Sequence, residues 1–198
     1  MRKKVLLLAP HLDDPELSSG GFIAKLSEEK SHITYMSFYT TQVLREENKA
    51  SSKILGINEL IHHDFERRTF QNHRQKILQI LYDYNKSHKV DLVLTPATTD
   101  IHQDHQIITE EAIRAFRSST ILGYYISGNN PIIHHDCVVK LNARQIKKKA
   151  EAILCYKSQF HRGPLFKSEY TLSRSLNCDV HFDTKYIEYF EVIKLVIK

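Results

Sequence analysis

The run Leu6-Leu7-Leu8-Ala9 is wholly apolar, and it stops at Pro10-His11-Leu12-Asp13-Asp14. An apolar stretch of this kind, ended by a turn signal, reads as a buried strand. Charged side chains at the end of such a strand are costly unless they are solvated, paired or bound to a metal. A second apolar run, in Asp91-Leu92-Val93-Leu94-Thr95-Pro96, is followed by Asp100, His102, Asp104 and His105. Two strands thus carry His/Asp clusters at their carboxyl ends. Brought to the same end of one sheet, they make a divalent metal site with its own acid and base.

The pattern of the rest of the chain supplies such a sheet. Strands are predicted over Val5 to Ala9, His32 to Tyr39, Glu59 to His63, Leu92 to Pro96 and Ile121 to Ile126. Between them helices are predicted over Leu17 to Lys30, Glu46 to Leu55 with Gly56 as a cap, Phe70 to Lys86, and Gln106 to Arg117. This alternation predicts parallel βαβ units, and so an α/β fold with a Rossmann-like, doubly wound, mostly parallel sheet. Ligands in such sheets bind beyond the carboxyl ends of the strands where strand order reverses, which is where both His/Asp blocks fall. After Ile126 the pattern changes to a strand over Cys137 to Leu141, a basic helix over Asn142 to Tyr156 and a terminal strand over Ile187 to Ile197. This part is expected to form an appended C-terminal subsheet and helix cover over the pocket.

With 198 residues and no linker or repeat, one domain spanning 1–198 is expected. Hydrophobic residues at 41% and charged residues at 26% argue against a disordered chain and a membrane class. No apolar run reaches the roughly 20 residues that span a bilayer. The opening Met1-Arg2-Lys3-Lys4 and the apolar run behind it lack a cleavage pattern, so the expectation is a first strand and a cytoplasmic protein. Cys137, Cys155 and Cys178 are odd in number and widely spaced, which suits free thiols better than a disulfide framework. The net charge of +5 is concentrated at Lys147-Lys148-Lys149, read as a solvated helix face, and no aromatic-interleaved basic motif points to nucleic acid.

The blocks Pro10-His11-Leu12-Asp13-Asp14 with Gly20-Gly21, and His102-Gln103-Asp104-His105, resemble the A-H-P-D-D and H-P-D-H motifs of the PIG-L/LmbE family of zinc-dependent N-deacetylases. Leu12 and Pro15 depart from the common pattern and leave the ligand positions intact. Arg45-Glu46-Glu47 ahead of Leu55-Gly56, and the Lys-rich stretch ending at Ser158-Gln159, extend the resemblance over roughly the first 160 residues. By that resemblance His11, Asp14 and His105 hold Zn2+, with Fe2+ or Co2+ as other ions suited to such donors. Asp13 is then the general base. His102 is the acid that protonates the leaving amine or stabilises the oxyanion, and Asp104 holds its imidazole. Arg45 and Asp64 are the substrate-binding positions, with Arg67 and Arg68 close by in sequence. The resemblance implies hydrolysis of an N-acetyl amino sugar or glycoconjugate to acetate and a free amine, no membrane span, and a homo-oligomer such as a trimer or hexamer.

Other histidines invite the same reading and do not earn it. His62-His63 and His134-His135 are assigned to a strand edge and an exposed loop. Gly20-Gly21 lacks the spacing of a phosphate loop, and close helix packing accounts for it better. Ser158 beside His161 lacks the elbow of a nucleophile, so Ser158-Gln159 is expected to shape a pocket wall. Two other classes remain to be weighed: a sugar-binding protein that keeps the metal without turnover, and a nucleotide-binding protein, which would need the glycine fingerprint this chain lacks.

Overall fold

In the computed structural model, which describes residues 3–177 and 182–197, strand β1 (Lys4–His11) is paired in parallel on both sides. Its neighbours are β2 (His32–Tyr39) and β4 (Leu92–Pro96), with β3 (Glu59–His62) beyond β2 and β5 (Thr120–Tyr124) beyond β4, all parallel. The order 3-2-1-4-5 is that of a doubly wound sheet, and its reversal lies between β1 and β4. The last third continues the same sheet: β7 (Tyr186–Lys194) runs antiparallel to β5, and β6 (Cys137–Leu141) runs antiparallel to β7 at the edge.

The apolar run of β1 is explained by burial on both faces. Val5, Leu7 and Ala9 belong to one core, with Ile23, Ala24 and Leu26 of α1 (Asp14–Glu28), Leu44 and Leu55 of α2 (Gln42–Leu55) and Ile146 of α5 (Ala143–Ile153). Leu6 and Leu8 point the other way, to Ile77 and Leu81 of α3 (Arg74–His88) and Ile107, Ile108 and Ala112 of α4 (Gln103–Ala115). Each of these leucines is worth about 1.5–3 kcal/mol when fully buried.

Helix starts differ from the pattern-based expectation in a way that matters for the site. α1 begins at Asp14 and not Leu17, because Pro15 is tolerated in a first turn where its missing N–H is not needed. α4 begins at Gln103 and not Gln106, with His102 as its cap, so Asp104 and His105 lie in its first turn. α2 begins at Gln42, where Thr41 Oγ1 accepts the Leu44 N–H at 3.2 Å. The 3-10 turns Lys157–Arg162 and Pro164–Phe166 and the short helix α6 (Ser168–Arg174) have no helical periodicity long enough to read in sequence.

Inside α1 the backbone leaves helical geometry at Ser19, with φ −126° and ψ 17°. The N–H groups of Gly21 and Phe22 after this kink donate to the Glu188 carboxylate of β7 at 3.0 and 2.7 Å. Lys149 of α5 pairs with Glu188 at 2.7 Å, and both side chains are below 5% exposure. The lysine run is therefore solvated at Lys147 but buried at Lys149, which corrects the reading of one uniform face. A Cβ at Gly20 would lie 2.7 Å from Lys149 Cγ, and one at Gly21 would lie 2.5 Å from Leu141 Cδ1. Gly20-Gly21 thus serves close packing of α1 on α5 and β6. No helix among the described residues is long and apolar enough to cross a membrane. Cys137 and Cys155 are free thiols, and Cys178 lies outside the described residues.

Candidate metal centre

β1 ends at His11, and the chain turns into α1 within two residues. Asp13 makes that turn with φ 104°, a left-handed conformation that Asp tolerates better than most side chains. Asp14 then folds back, so that its Oδ2 accepts the backbone N–H of His11 at 2.9 Å. Across the switch point, the loop after β4 carries Asp100, and the first turn of α4 carries Asp104 and His105.

Both ring orientations follow from carboxylates that can only accept hydrogen bonds when ionised. His105 Nδ1–H donates to Asp100 Oδ2 at 2.8 Å, which leaves the Nε2 lone pair free. His11 Nε2–H donates to Asp104 Oδ2 at 3.1 Å, which makes Nδ1 the nitrogen that can ligate once it gives up its proton. These two nitrogens lie 3.1 Å apart, and Asp14 Oδ2 is 3.5 Å from His11 Nδ1 and 3.3 Å from His105 Nε2. A tetrahedral ion with bonds of about 2.0–2.1 Å has donor–donor edges of about 3.3 Å, so this triangle fits one. His102 joins His11 and His105 in a wider group whose ligand atoms lie within 4.8 Å of one another.

Asp104 does not hold the ring of His102. Its carboxylate serves His11 and accepts the Arg68 N–H at 2.8 Å, while its backbone N–H donates to His102 Nδ1 at 3.1 Å. His102 therefore acts as the cap of α4 and carries its proton on Nε2. Burial, and then the charges of His105 and His11, lower His102 to about 4, so it is neutral at pH 7. Burial opposes the charge on His11, but hydrogen bonds to Asp104 and Asp14 outweigh it and raise His11 to about 9. For Asp14, burial is overcome by the charge of His105 and the bond to His11, which hold its carboxyl well below the usual range. Burial and the charge of Asp14 push Asp13 well up, against the pull of Arg162.

A raised His11 gives stability that is fully present below about pH 6.5, its ordinary value, and fades as pH rises through about 9. An ion at Nδ1 has to expel that proton. Metal loading at pH 7.5 is expected to release close to one proton from His11, beyond any lost by a coordinated water, and this contribution should fall to half at about pH 9 and vanish well above it. Calorimetric titration in buffers of different ionisation enthalpy reads the number directly; release of none at pH 7.5 would contradict the assignment.

The structure brings together His11, Asp13, Asp14, His102, Asp104 and His105. Beside them is a cavity lined by His11, Leu12, Asp13, Tyr39, Thr41, Val43, Leu44, Arg67, Ser158, Gln159 and Arg162. Arg45 and Asp64 are exposed and do not line it; Arg67 does, with its guanidinium 5.5 Å from the centre of the Tyr39 ring. Ser158 gives its hydroxyl to Glu47 at 2.7 Å, as suits a wall and not a nucleophile. His62 bonds Ser37 at 2.8 Å, His63 stacks on Phe38, and His135 stacks on Tyr189, and none of them belongs to the His11, His102 and His105 group.

Three contributors have roles that the sequence pattern leaves unassigned. Asp100 stood within the block without an assigned partner, although its place just after a buried strand was the available signal. Glu16 is fully buried and binds Tyr156, Ser51 and Tyr35 at 2.7, 2.9 and 3.0 Å, which pins the start of α1. Arg162 Nη1 donates to Asp13 Oδ2 at 2.8 Å from 149 positions away, with no local signal at all.

Fold and cluster together define an α/β protein with a cluster of side chains able to hold a metal at the switch point of its sheet. Within that class, the chain belongs to the PIG-L family, GlcNAc-PI de-N-acetylase, which it matches over residues 6–116. It is similar to the uncharacterized deacetylase YaiS of Escherichia coli (strain K12), at 28% identity over 136 residues, covering 62% of this chain and 74% of YaiS. Its fold is similar to that of the conserved protein TT1542 from Thermus thermophilus, with TM-score 0.82, 22% identity and coverage of 98% and 96% of the two chains. It is also similar to GalB, the 4-carboxy-2-hydroxymuconate hydratase of Pseudomonas putida KT2440, with TM-score 0.81, 17% identity and coverage of 99% and 98%. At these identities both likenesses speak for the fold alone.

Proposed function

We propose that this protein hydrolyses the acetamide of an N-acetylated amino sugar or sugar conjugate, with a divalent ion, zinc by preference, held by His11, Asp14 and His105. The observation that carries the proposal is the triangle of donor atoms with edges of 3.1, 3.3 and 3.5 Å, flanked by a buried carboxylate that is not part of it. An ion bound there supplies Lewis acidity and lowers the pKa of a coordinated water from 15.7 to about 7.

The residues divide the remaining work. Asp13, 1% exposed and pushed up by burial, is suited to take a proton from the attacking water near neutral pH. His102, neutral with its proton on Nε2, donates a hydrogen bond to the carbonyl oxygen as negative charge grows on it. Asp100 and Asp104 fix the rings of His105 and His11 and keep them in the ligating tautomer. Tyr39, Arg67 and Gln159 line the adjoining cavity and present an aromatic face, a cation and an amide to the sugar. Membership of a family described by a de-N-acetylase of GlcNAc-PI, and similarity to a protein named a deacetylase, support this reaction class.

The deciding experiment is amine release from a panel of N-acetyl sugars, nucleotide sugars and glycosides by zinc-loaded protein, a chelated control and Asp13→Asn. Release that needs metal and Asp13 is the expected result; silence across the panel with stoichiometric metal would overturn the reading. His102→Ala is expected to keep its metal and lose about 10²–10³-fold in kcat, the usual cost of one oxyanion donor. A near-normal rate would remove His102 from that role. Arg67→Ala should raise KM more than Arg45→Ala does, because only Arg67 lines the cavity.

A further inference from the structure

We infer that Arg162 is a positioning residue for the deacetylation proposed above, on which this inference rests: it holds one oxygen of Asp13 so that the other is presented to the attacking water. Arg162 Nη1 donates to Asp13 Oδ2 at 2.8 Å. Asp13 Oδ1 is buried and accepts no hydrogen bond from the described residues. Rotation of a carboxylate about its terminal torsion is broad and nearly two-fold, so an Asp13 held at neither oxygen would not present one in a fixed direction. With Oδ2 tied, Oδ1 is the oxygen left to meet a water.

Arg162 is itself held in place for this contact. It ends the 3-10 turn Lys157–Arg162, whose Ser158 is clamped by Glu47 through its N–H at 2.8 Å and its hydroxyl at 2.7 Å. The guanidinium also donates to Gln159 Oε1 at 3.3 Å and sits 5.4 Å from the centre of the Phe166 ring. Gly163, with φ 90°, turns the chain away directly after it, a conformation that favours glycine. Helix α2, through Glu47, thereby fixes the arm that fixes the base. In the reaction the water oxygen bonds to the acyl carbon as its proton passes to Oδ1. The C–N bond then breaks and that proton goes to the leaving nitrogen, so amide and water give acetic acid and amine, the acid then losing its remaining proton to become acetate, and Asp13 is restored.

The test compares Arg162→Gln and Arg162→Lys with the full-length wild type, using the best substrate of the panel and crystal structures of the zinc-loaded proteins. Arg162→Gln should lose about a hundredfold in kcat, the scale of an ångström-level misplacement, with KM and metal content unchanged. Its Asp13 carboxylate should be found rotated, and Arg162→Lys should recover part of both. Methylguanidine should restore rate to Arg162→Ala but not to Asp13→Asn. A normal kcat with raised KM would make Arg162 a substrate contact and overturn the inference, as would an Asp13 carboxylate unmoved in Arg162→Gln. If the wild type releases no amine from any sugar, the deacetylase reading falls, while the Asp13 orientation in the variant crystal still upholds or overturns the positioning role.

Discussion

Replacing Asp13 with asparagine is expected to leave the metal in place and to lower turnover by about 10²–10⁴-fold, the range spanned by a positioned general base. Asp14→Ala, one residue further on, is expected to strip the metal instead. The contrast follows from the turn between β1 and α1. Asp14 Oδ2 lies 3.3 and 3.5 Å from the imidazole nitrogens of His105 and His11 that face the centre, whereas Asp13 carries its carboxylate to Arg162. The left-handed backbone of Asp13 is what sends the two neighbouring side chains to different tasks. Metal content by plasma emission, read beside amine release, separates the roles. Equal loss of metal from both variants would refute the division.

Glu188→Ala is expected to cost about 3–5 kcal/mol of stability, the scale for removing one partner of a buried ion pair. The alanine would leave the Lys149 ammonium buried without its carboxylate, and the N–H groups of Gly21 and Phe22 would lose their acceptor. The damage is confined to no single element, because Glu188 ties β7 and α5 to the kink of α1. Since α1 opens with Asp14, looser docking of that helix should also weaken metal binding. Urea unfolding measures the cost. Adding Lys149→Met to Glu188→Ala should recover much of it, because a buried pair replaced by apolar groups is often neutral or stabilising. A double variant no more stable than Glu188→Ala would show that the lost backbone acceptors, and not the stranded charge, dominate.

The parallel sheet was legible because β1 and β4 are apolar on both faces, and such runs have few other places to go. The proposed ligand block was legible because His11 to Asp14 and His102 to His105 are each local, so their spacing survives folding intact. Helix starts were less so. Pattern reading waits for apolar periodicity, and the first turns of α1 and α4 hold the polar residues of the site instead. The resemblance puts the substrate contacts at Arg45 and Asp64, by position relative to a motif; the cavity is lined by Arg67, which reaches it from the loop after β3.

The strand that centres the sheet, the two clusters at its carboxyl edge and the residue types able to hold an ion are all written along the chain. Which carboxylate serves which group emerges on folding: Asp104 turns to His11 and leaves His102 as a cap, Asp100 takes His105, and Arg162 crosses 149 positions to Asp13. The reason is physical. Burial and periodicity are written locally along the chain, but carboxylates of equal chemistry are distinguished only by which cation or N–H the finished fold places within hydrogen-bond reach.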